Sequence, residues 1–204
     1  DLLSEQARSR PDMVAVIDGT HQSTFAELDA RVNRLAGVMR SRGVVKGDRI
    51  LWLGQNSFRV LEVLLASARV GAIVCPANWR WSPAEIAFTL DDFDPKLTFW
   101  QEAEIGEANR TARAAWKPDS HWICHDGCNG ADDYEALLAA ADPEAEFAPV
   151  ETGTPLLAIY TAAFSGRPGA ALLSHESLLI IAWLAMMSQA IDETSGYLVS
   201  GPMF

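Results

Sequence analysis

Apolar residues recur at steps of three and four along Phe25, Leu28, Val32, Leu35 and Met39, the spacing of one face of an α-helix. Thr24-Phe25-Ala26-Glu27 ahead of them has the form of a capping box, and Gly43 stops the run. After the Lys46-Gly47-Asp48 turn the pattern changes to a short unbroken apolar run, Arg49–Leu53, which predicts a buried strand. The alternation then repeats. A helix is predicted over Phe58–Val70, entered at Asn56 or Ser57 and ended by Gly71, and then a strand over Ala72–Cys75 closed by Pro76. Ser82-Pro83-Ala84-Glu85 is a second capping box, opening a helix to about Asp91. Further along, strands are predicted over Lys96–Trp100, His121–Cys124 and Leu156–Thr161, and helices over Glu102–Ala115 and Asp132–Ala141. Pro143–Pro155 reads as a polar connector, and Ser174 or Ser177 opens a strongly apolar helix to Gln189.

Short apolar strands separated by helices pair in parallel through crossover connections, and both faces of such a sheet are covered. The fold class expected is α/β, with a mostly parallel sheet covered by helices. Tyr197-Leu198-Val199-Ser200 reads as a further strand beginning a new unit, and the chain then stops at Met203-Phe204, so residues 1–204 are expected to be a fragment.

Composition narrows the function classes. With 49% hydrophobic and 21% charged residues, the 204 residues have the profile of a globular domain rather than a disordered segment. A net charge of −11 repels a phosphate backbone, which weighs against nucleic-acid binding but not against one nucleotide in a local loop. Three cysteines, Cys75, Cys124 and Cys128, do not make a secreted disulfide scaffold, so reduced thiols and a cytoplasmic setting are expected. The first residues lack the basic and apolar regions of a signal peptide. The longest apolar run, Leu178–Met187, falls short of the ~20 residues that span a bilayer, so no transmembrane segment is expected.

The candidate chemistry lies after the strand Leu156–Thr161, because open parallel sheets bind ligands beyond the carboxyl ends of their strands. Thr161, Ala162, Ala163, Phe164, Ser165, Gly166 and Arg167 form a turn of small residues. Thr161 and Ser165 offer hydroxyls, Gly166 lets a ligand approach the backbone, successive amides can cradle an anion, and Arg167 can add a charged contact. The turn is not a Walker A loop, since a helix does not open at once and no lysine follows the glycine, and no Gly-x-Gly-x-x-Gly is present. On these residues alone, a phosphate cradle and a plain connection between elements stand level.

The stretch resembles the phosphate loop of the adenylate-forming acyl-CoA synthetases and ligases with an AMP-binding domain, Tyr/Phe-Thr-Ser-Gly-Thr-Thr-Gly-x-Pro-Lys-Gly. It matches at Tyr160, Thr161, Gly166 and Pro168, with Ser165 conservative, and Ser174-His175 resembles the Thr/Ser-His that follows. Upstream, Thr24–Leu28, Asn33-Arg34-Leu35-Ala36, Lys46-Gly47-Asp48-Arg49-Ile50, Gln55-Asn56-Ser57, Val70-Gly71-Ala72, Pro76-Ala77-Asn78-Trp79-Arg80 and Leu90-Asp91-Asp92 keep the family's order. Gly201-Pro202-Met203-Phe204 resembles the start of its Pro-x-Phe-His segment near the acyl pocket. The resemblance implies the N-terminal part of the large domain of an adenylate-forming enzyme. It implies ATP, Mg²⁺ and coenzyme A as cofactors, a small carboxylic acid, fatty acids first, as substrate, and catalytic residues and a C-terminal domain beyond Phe204. A homodimer is left open.

The loop also departs from the family, at Ala162, Ala163, Phe164, Gly169 and Ala170. Gly169 stands in place of a lysine, a loss of about 1–3 kcal/mol if that cation made a charged hydrogen bond, and Arg167 is expected to supply the charge. A cradle of amides survives side-chain changes, so a divergent working loop is favoured over a degenerate one. Two other readings stand beside the ligase: a non-catalytic nucleotide- or acyl-binding relative, and a different enzyme, such as an oxidoreductase, on the same sheet.

Elsewhere, plain structural roles are expected. His121, Cys124, His125 and Cys128 crowd together, but their spacing fits no familiar zinc finger, so no metal and free thiols are expected. Asp91, Asp92 and Asp94 read as a solvated turn, His175 as a helix-entry residue, and Trp79 and Trp81 as packing. Trp183, Met186 and Met187 read as core before acyl pocket.

Overall fold

The computed structural model describes residues 1–117, 121–142, 146–161 and 167–203. Two short antiparallel strands, β1 (Val14–Asp18) and β2 (His21–Thr24), form a hairpin that follows helix α1 (Leu2–Ser9). The hydrophobic pattern did not predict these three elements.

Helix α2 (Phe25–Ser41) begins as the sequence predicts. The Thr24 hydroxyl accepts from the Glu27 amide at 3.2 Å, and the Glu27 carboxylate accepts from the Thr24 amide at 2.8 Å. Strand β3 (Arg49–Leu53) and helix α3 (Phe58–Val70) match their predicted bounds. The cap of α3 is Ser57, and Gly71 ends it at φ 79°, a conformation glycine adopts without strain. Helix α4 (Pro83–Phe93) starts on the Ser82–Glu85 box. Strand β4 (Ile73–Ala77) starts one residue later than its pattern predicts and runs through Pro76 rather than closing there. Pro76 sits beyond the Val74–Leu157 rung to the next strand, where a missing N–H is tolerated.

Strands β5 (Leu97–Trp100), β6 (His121–Cys124) and β7 (Pro155–Tyr160) complete the parallel set, with helices α5 (Gly106–Ala114) and α6 (Tyr134–Ala140) between them. Helix α5 starts later than its pattern suggests. Asp126 captures the Glu102 and Ala103 amides, and Glu104 takes φ 64°, which a helix cannot contain. A further strand, β8 (Ala170–Ser174), pairs antiparallel with β7 and leads directly into α7 (His175–Gln189). The strand expected over residues 197–200 is absent, and that segment has no regular structure.

The sheet order is β6-β5-β3-β4-β7-β8, so the expected mostly parallel α/β fold is present with one antiparallel edge. Successive residues alternate between its faces. Ile50, Trp52, Val74, Leu97, Phe99 and Ile123 pack on one side under α2 and α3. Leu51, Leu53, Cys75, Ala77, Trp100 and Trp122 pack on the other under α4 and the end of α5. Each large side chain buried this way contributes roughly 1.5–3 kcal/mol, which makes these two layers the bulk of the stability. Among the described residues no helix is long and apolar enough to cross a membrane.

Candidate functional site

The carboxyl end of β7 is built as a neck. Thr161 follows the strand, and both its amide and its hydroxyl donate to the carbonyl of Gly169, at 2.9 and 3.1 Å. This closes the β7–β8 pairing at its carboxyl end. Ala162, Ala163, Phe164, Ser165 and Gly166, the centre of the expected cradle, lie outside the described residues. Thr161 and Arg167, which flank it, are exposed.

Both flanks dock on one helix. The Tyr160 hydroxyl donates to the Asp92 carboxylate at 2.6 Å, and the Arg167 guanidinium sits 5.8 Å over the Phe88 ring. Phe88 and Asp92 are four residues apart on α4 and so share one face. Trp81, just ahead of that helix, packs edge-on against Tyr160 with ring centroids 6.0 Å apart. Burial, reinforced by the neighbouring carboxylate, pushes the Tyr160 phenol above its ordinary value, so it stays a donor. Asp92 is exposed, as expected, but it lies within α4 rather than in a turn and supports the neck, a role its sequence context did not signal. Asp94 ends α4 at φ 48° and pairs with Arg49 at 3.2 Å and with Lys117.

On the far side of the hairpin, Ser174 caps α7 and His175 is the first helical residue, as expected. Burial lowers the pKa of the His175 ring, and the His175 amide donates to Thr154 at 3.1 Å. Trp183, Met186 and Met187 do not form core: α7 buries none of its residues, and Trp183 is 60% and Met187 67% exposed.

The carboxyl end of β3 carries a second contact. The Asn56 side-chain amide donates to Gly201 O at 2.7 Å and its oxygen accepts from the Met203 amide at 3.0 Å. Asn56 thus anchors the Gly-Pro-Met segment to the sheet edge, and the capping role falls to Ser57. At the end of β6, Cys124 and Cys128 are joined in a disulfide, which corrects the expectation of free thiols. Asp126 lies between them, and its carboxylate with the two sulfurs forms a group of potential metal ligands. His125 is turned away. It is 3% exposed and stacks on Trp52 at 4.0 Å, and burial lowers its pKa to about 4.

One polar cluster escaped the sequence reading because its members are far apart in the chain. Glu62 is fully buried on α3 and accepts from Arg31 at 2.5 Å and from the Tyr134 hydroxyl at 2.6 Å. Arg31 and Arg59 both reach Glu135. The cluster ties α2, α3 and α6 together and faces away from the neck's helix, so its role is structural.

A sequence profile described as AMP-binding enzyme matches residues 3–204. The chain belongs to the AMP-binding enzyme family. Among curated members, this AMP-binding chain is 32% identical over 203 residues to a feruloyl-CoA synthase of Amycolatopsis sp, covering 98% of this chain and 38% of the relative. It is 33% identical over 193 residues to a long-chain-fatty-acid–CoA ligase of Thermus thermophilus, covering 90% of this chain and 34% of that one. Among solved structures, a fatty acyl CoA synthetase of Mycobacterium tuberculosis superposes with a TM-score of 0.78 at 26% identity, over 90% of this chain and 36% of that one. A benzoate CoA ligase from Burkholderia xenovorans shares the fold, with a TM-score of 0.80 at 22% identity over 90% and 35% of the two chains. This AMP-binding chain thus spans little more than a third of the length of these relatives.

Proposed function

We propose that this chain is the N-terminal part of an ATP-dependent acid–thiol ligase, a larger cytoplasmic enzyme. It would activate a carboxylic acid as its acyl-adenylate, with release of pyrophosphate, and pass the acyl group to the thiol of coenzyme A. The family match over residues 3–204 carries the reading, and relatives that are named as ligases of fatty, ferulic and indoleacetic acids support it. These names favour an apolar acid as the substrate class, with fatty acids the first to test.

The neck fits a polyphosphate in part. Tyr160 and Arg167, on either side of the turn, are both held against α4, which fixes the two ends between which a polyphosphate would be gripped. Arg167, an exposed residue two positions before Gly169 where the family has lysine, would supply the charge. The Thr161 amide and hydroxyl are spent on Gly169, so donors to phosphate come from the residues after Thr161. Asp92 is spent on Tyr160, so Mg²⁺ would arrive on the phosphates of ATP rather than in a carboxylate cage at the neck. Bound there, ATP would supply the electrophilic phosphorus, while this chain's residues position it and offset its charge.

The test is ATP–pyrophosphate exchange by the full-length protein with fatty, cinnamic and benzoic acids in turn. Acid-dependent exchange is expected with at least one of them. ATP binding without exchange on any acid would select the non-catalytic relative, which the loss of the family's lysine at Gly169 favours. Absence of both would remove the nucleotide reading.

A further inference from the structure

The Cys124–Cys128 pair has no part in the proposed ligase chemistry. Cys124 is the last residue of β6, and Gly127, at φ 89°, turns the chain so that Cys128 comes back beside it. The Cα atoms are 5.8 Å apart, within the ordinary span of a disulfide. Beside the pair is a cavity of about 190 Å³ bordered by Trp100, Arg113, Trp122 and Asn129. Cys124 is buried and Cys128 is partly exposed, so one sulfur can meet a small reagent while the other is held in place. Cys75 lies buried in β4, away from this edge, and burial pushes its thiol up to about 12.

A structural zinc site is the competing use of these ligands. It needs four, and only Cys124, Asp126 and Cys128 come together among the described residues. His125, the obvious fourth, is stacked on Trp52 instead.

What the ring holds is specific. Asp126 lies between the two sulfurs in the chain, and its two carboxylate oxygens accept from the Glu102 and Ala103 amides at 2.8 and 2.7 Å, fixing the turn after β5. The Cys124 sulfur is 3.1 Å and the Cys128 sulfur 3.8 Å from the same Asp126 oxygen that serves Glu102. Joined as a disulfide, the sulfurs have no proton to give. Reduced, each becomes a donor aimed at an oxygen already in use.

We propose that Cys124 and Cys128 are a reversible thiol–disulfide site, oxidised by small disulfides of the glutathione class, and that its state sets the order of the turn at Glu102 and Ala103. The Cys128 thiolate attacks a sulfur of the small disulfide and expels one small thiolate, leaving a mixed disulfide. The Cys124 thiolate then attacks the Cys128 sulfur and expels the second. Two protein thiols are oxidised to one disulfide, and one small disulfide is reduced to two thiols.

The test uses the full chain, reduced with dithiothreitol and equilibrated across ratios of reduced to oxidised glutathione. Rapid alkylation and peptide mass analysis follow, with amide exchange measured at Glu102 and Ala103. Cys124 and Cys128 are expected to lose alkylation together, with their shared peptide lighter by two hydrogens, while Cys75 stays unmodified in the folded protein. Exchange at the two amides slows at least severalfold on oxidation. Cys128→Ser should stop at a mixed disulfide on Cys124 or not react at all, and should show the faster exchange of the reduced protein. A pair that stays alkylatable at every ratio overturns the proposal, as does wild type arrested at the mixed disulfide. So does stoichiometric zinc that blocks alkylation, or a Cys128→Ser variant as protected as the oxidised protein.

Discussion

The two edges of the sheet are finished differently. On the β6-β5-β3-β4 side, helices α2 to α5 press on both faces and nearly every inward residue is buried. On the β7-β8 side, β8 is largely exposed and α7 carries Leu179, Ile180, Ile181, Trp183, Leu184 and Met187 into the open. A helix that is apolar all round belongs to the interior of a larger body. The relatives extend to more than twice this length, and under the proposed reading the further chain would cover that edge. The candidate neck stands at the boundary: β7 roots it in the packed half through Tyr160 and α4, and β8 carries it toward the uncovered one. This chain's own stability resides in the packed half, and under the proposed reading its function would draw on further chain at the uncovered one.

The sharpest way to break that contrast is to hollow the packed half. Leu35 is fully buried on α2, so Leu35→Ala should cost about 2–5 kcal/mol in urea unfolding. A smaller loss would mean that the layer is looser than its burial implies.

Next in size is a pH effect. His125 is held neutral with its pKa lowered from 6.5 to about 4, so the unfolded chain binds the proton that the folded one refuses. Stability is therefore complete above pH 6.5 and falls as the pH drops toward 4, by up to about 3 kcal/mol from this group. Replacing it with Phe keeps a ring against Trp52 and should flatten the urea midpoint between those pH values. An unchanged slope would assign the loss to the carboxylates.

At the boundary the effect shrinks. Asp92→Asn weakens the contact with Tyr160 by about 1 kcal/mol and, under the proposed reading, should raise the full-length protein's KM for ATP roughly fivefold with kcat little changed. A fall in kcat alone would place Asp92 nearer the chemistry than its geometry suggests.

The smallest change tests the uncovered half. Trp183→Ser should move the unfolding of this chain by less than about 0.5 kcal/mol, because the side chain leaves no cavity behind. The same substitution in the full-length protein should cost several times more. Equal effects in both would mean that α7 is a surface helix.

Much of the fold was legible in the residues. Local devices declared themselves: the Thr24–Glu27 and Ser82–Glu85 boxes, the Gly71 stop and the unbroken Arg49–Leu53 run each fix structure through neighbours a few positions away. The β1–β2 hairpin and β8 did not, since short strands are defined by the partner they pair with. Of the candidate site, the sequence pointed to the stretch after β7, of which the structure describes Thr161 and Arg167. It concealed Asp92 and Asn56, whose partners lie 68 and more than 140 residues away.

The residues on their own gave the order of elements from α2 to β7, the parallel pairing of that stretch and the family resemblance, because periodicity, capping and turn chemistry act over short spans. Tertiary structure alone decided that α4 braces both flanks of the neck, that Glu62 is buried among Arg31 and Tyr134, and that Cys124 meets Cys128 over Asp126. Those outcomes depend on crossover connections and turn angles that bring chemical groups together. Hydrophobic spacing records which face a residue takes, but not which distant residue it will meet there.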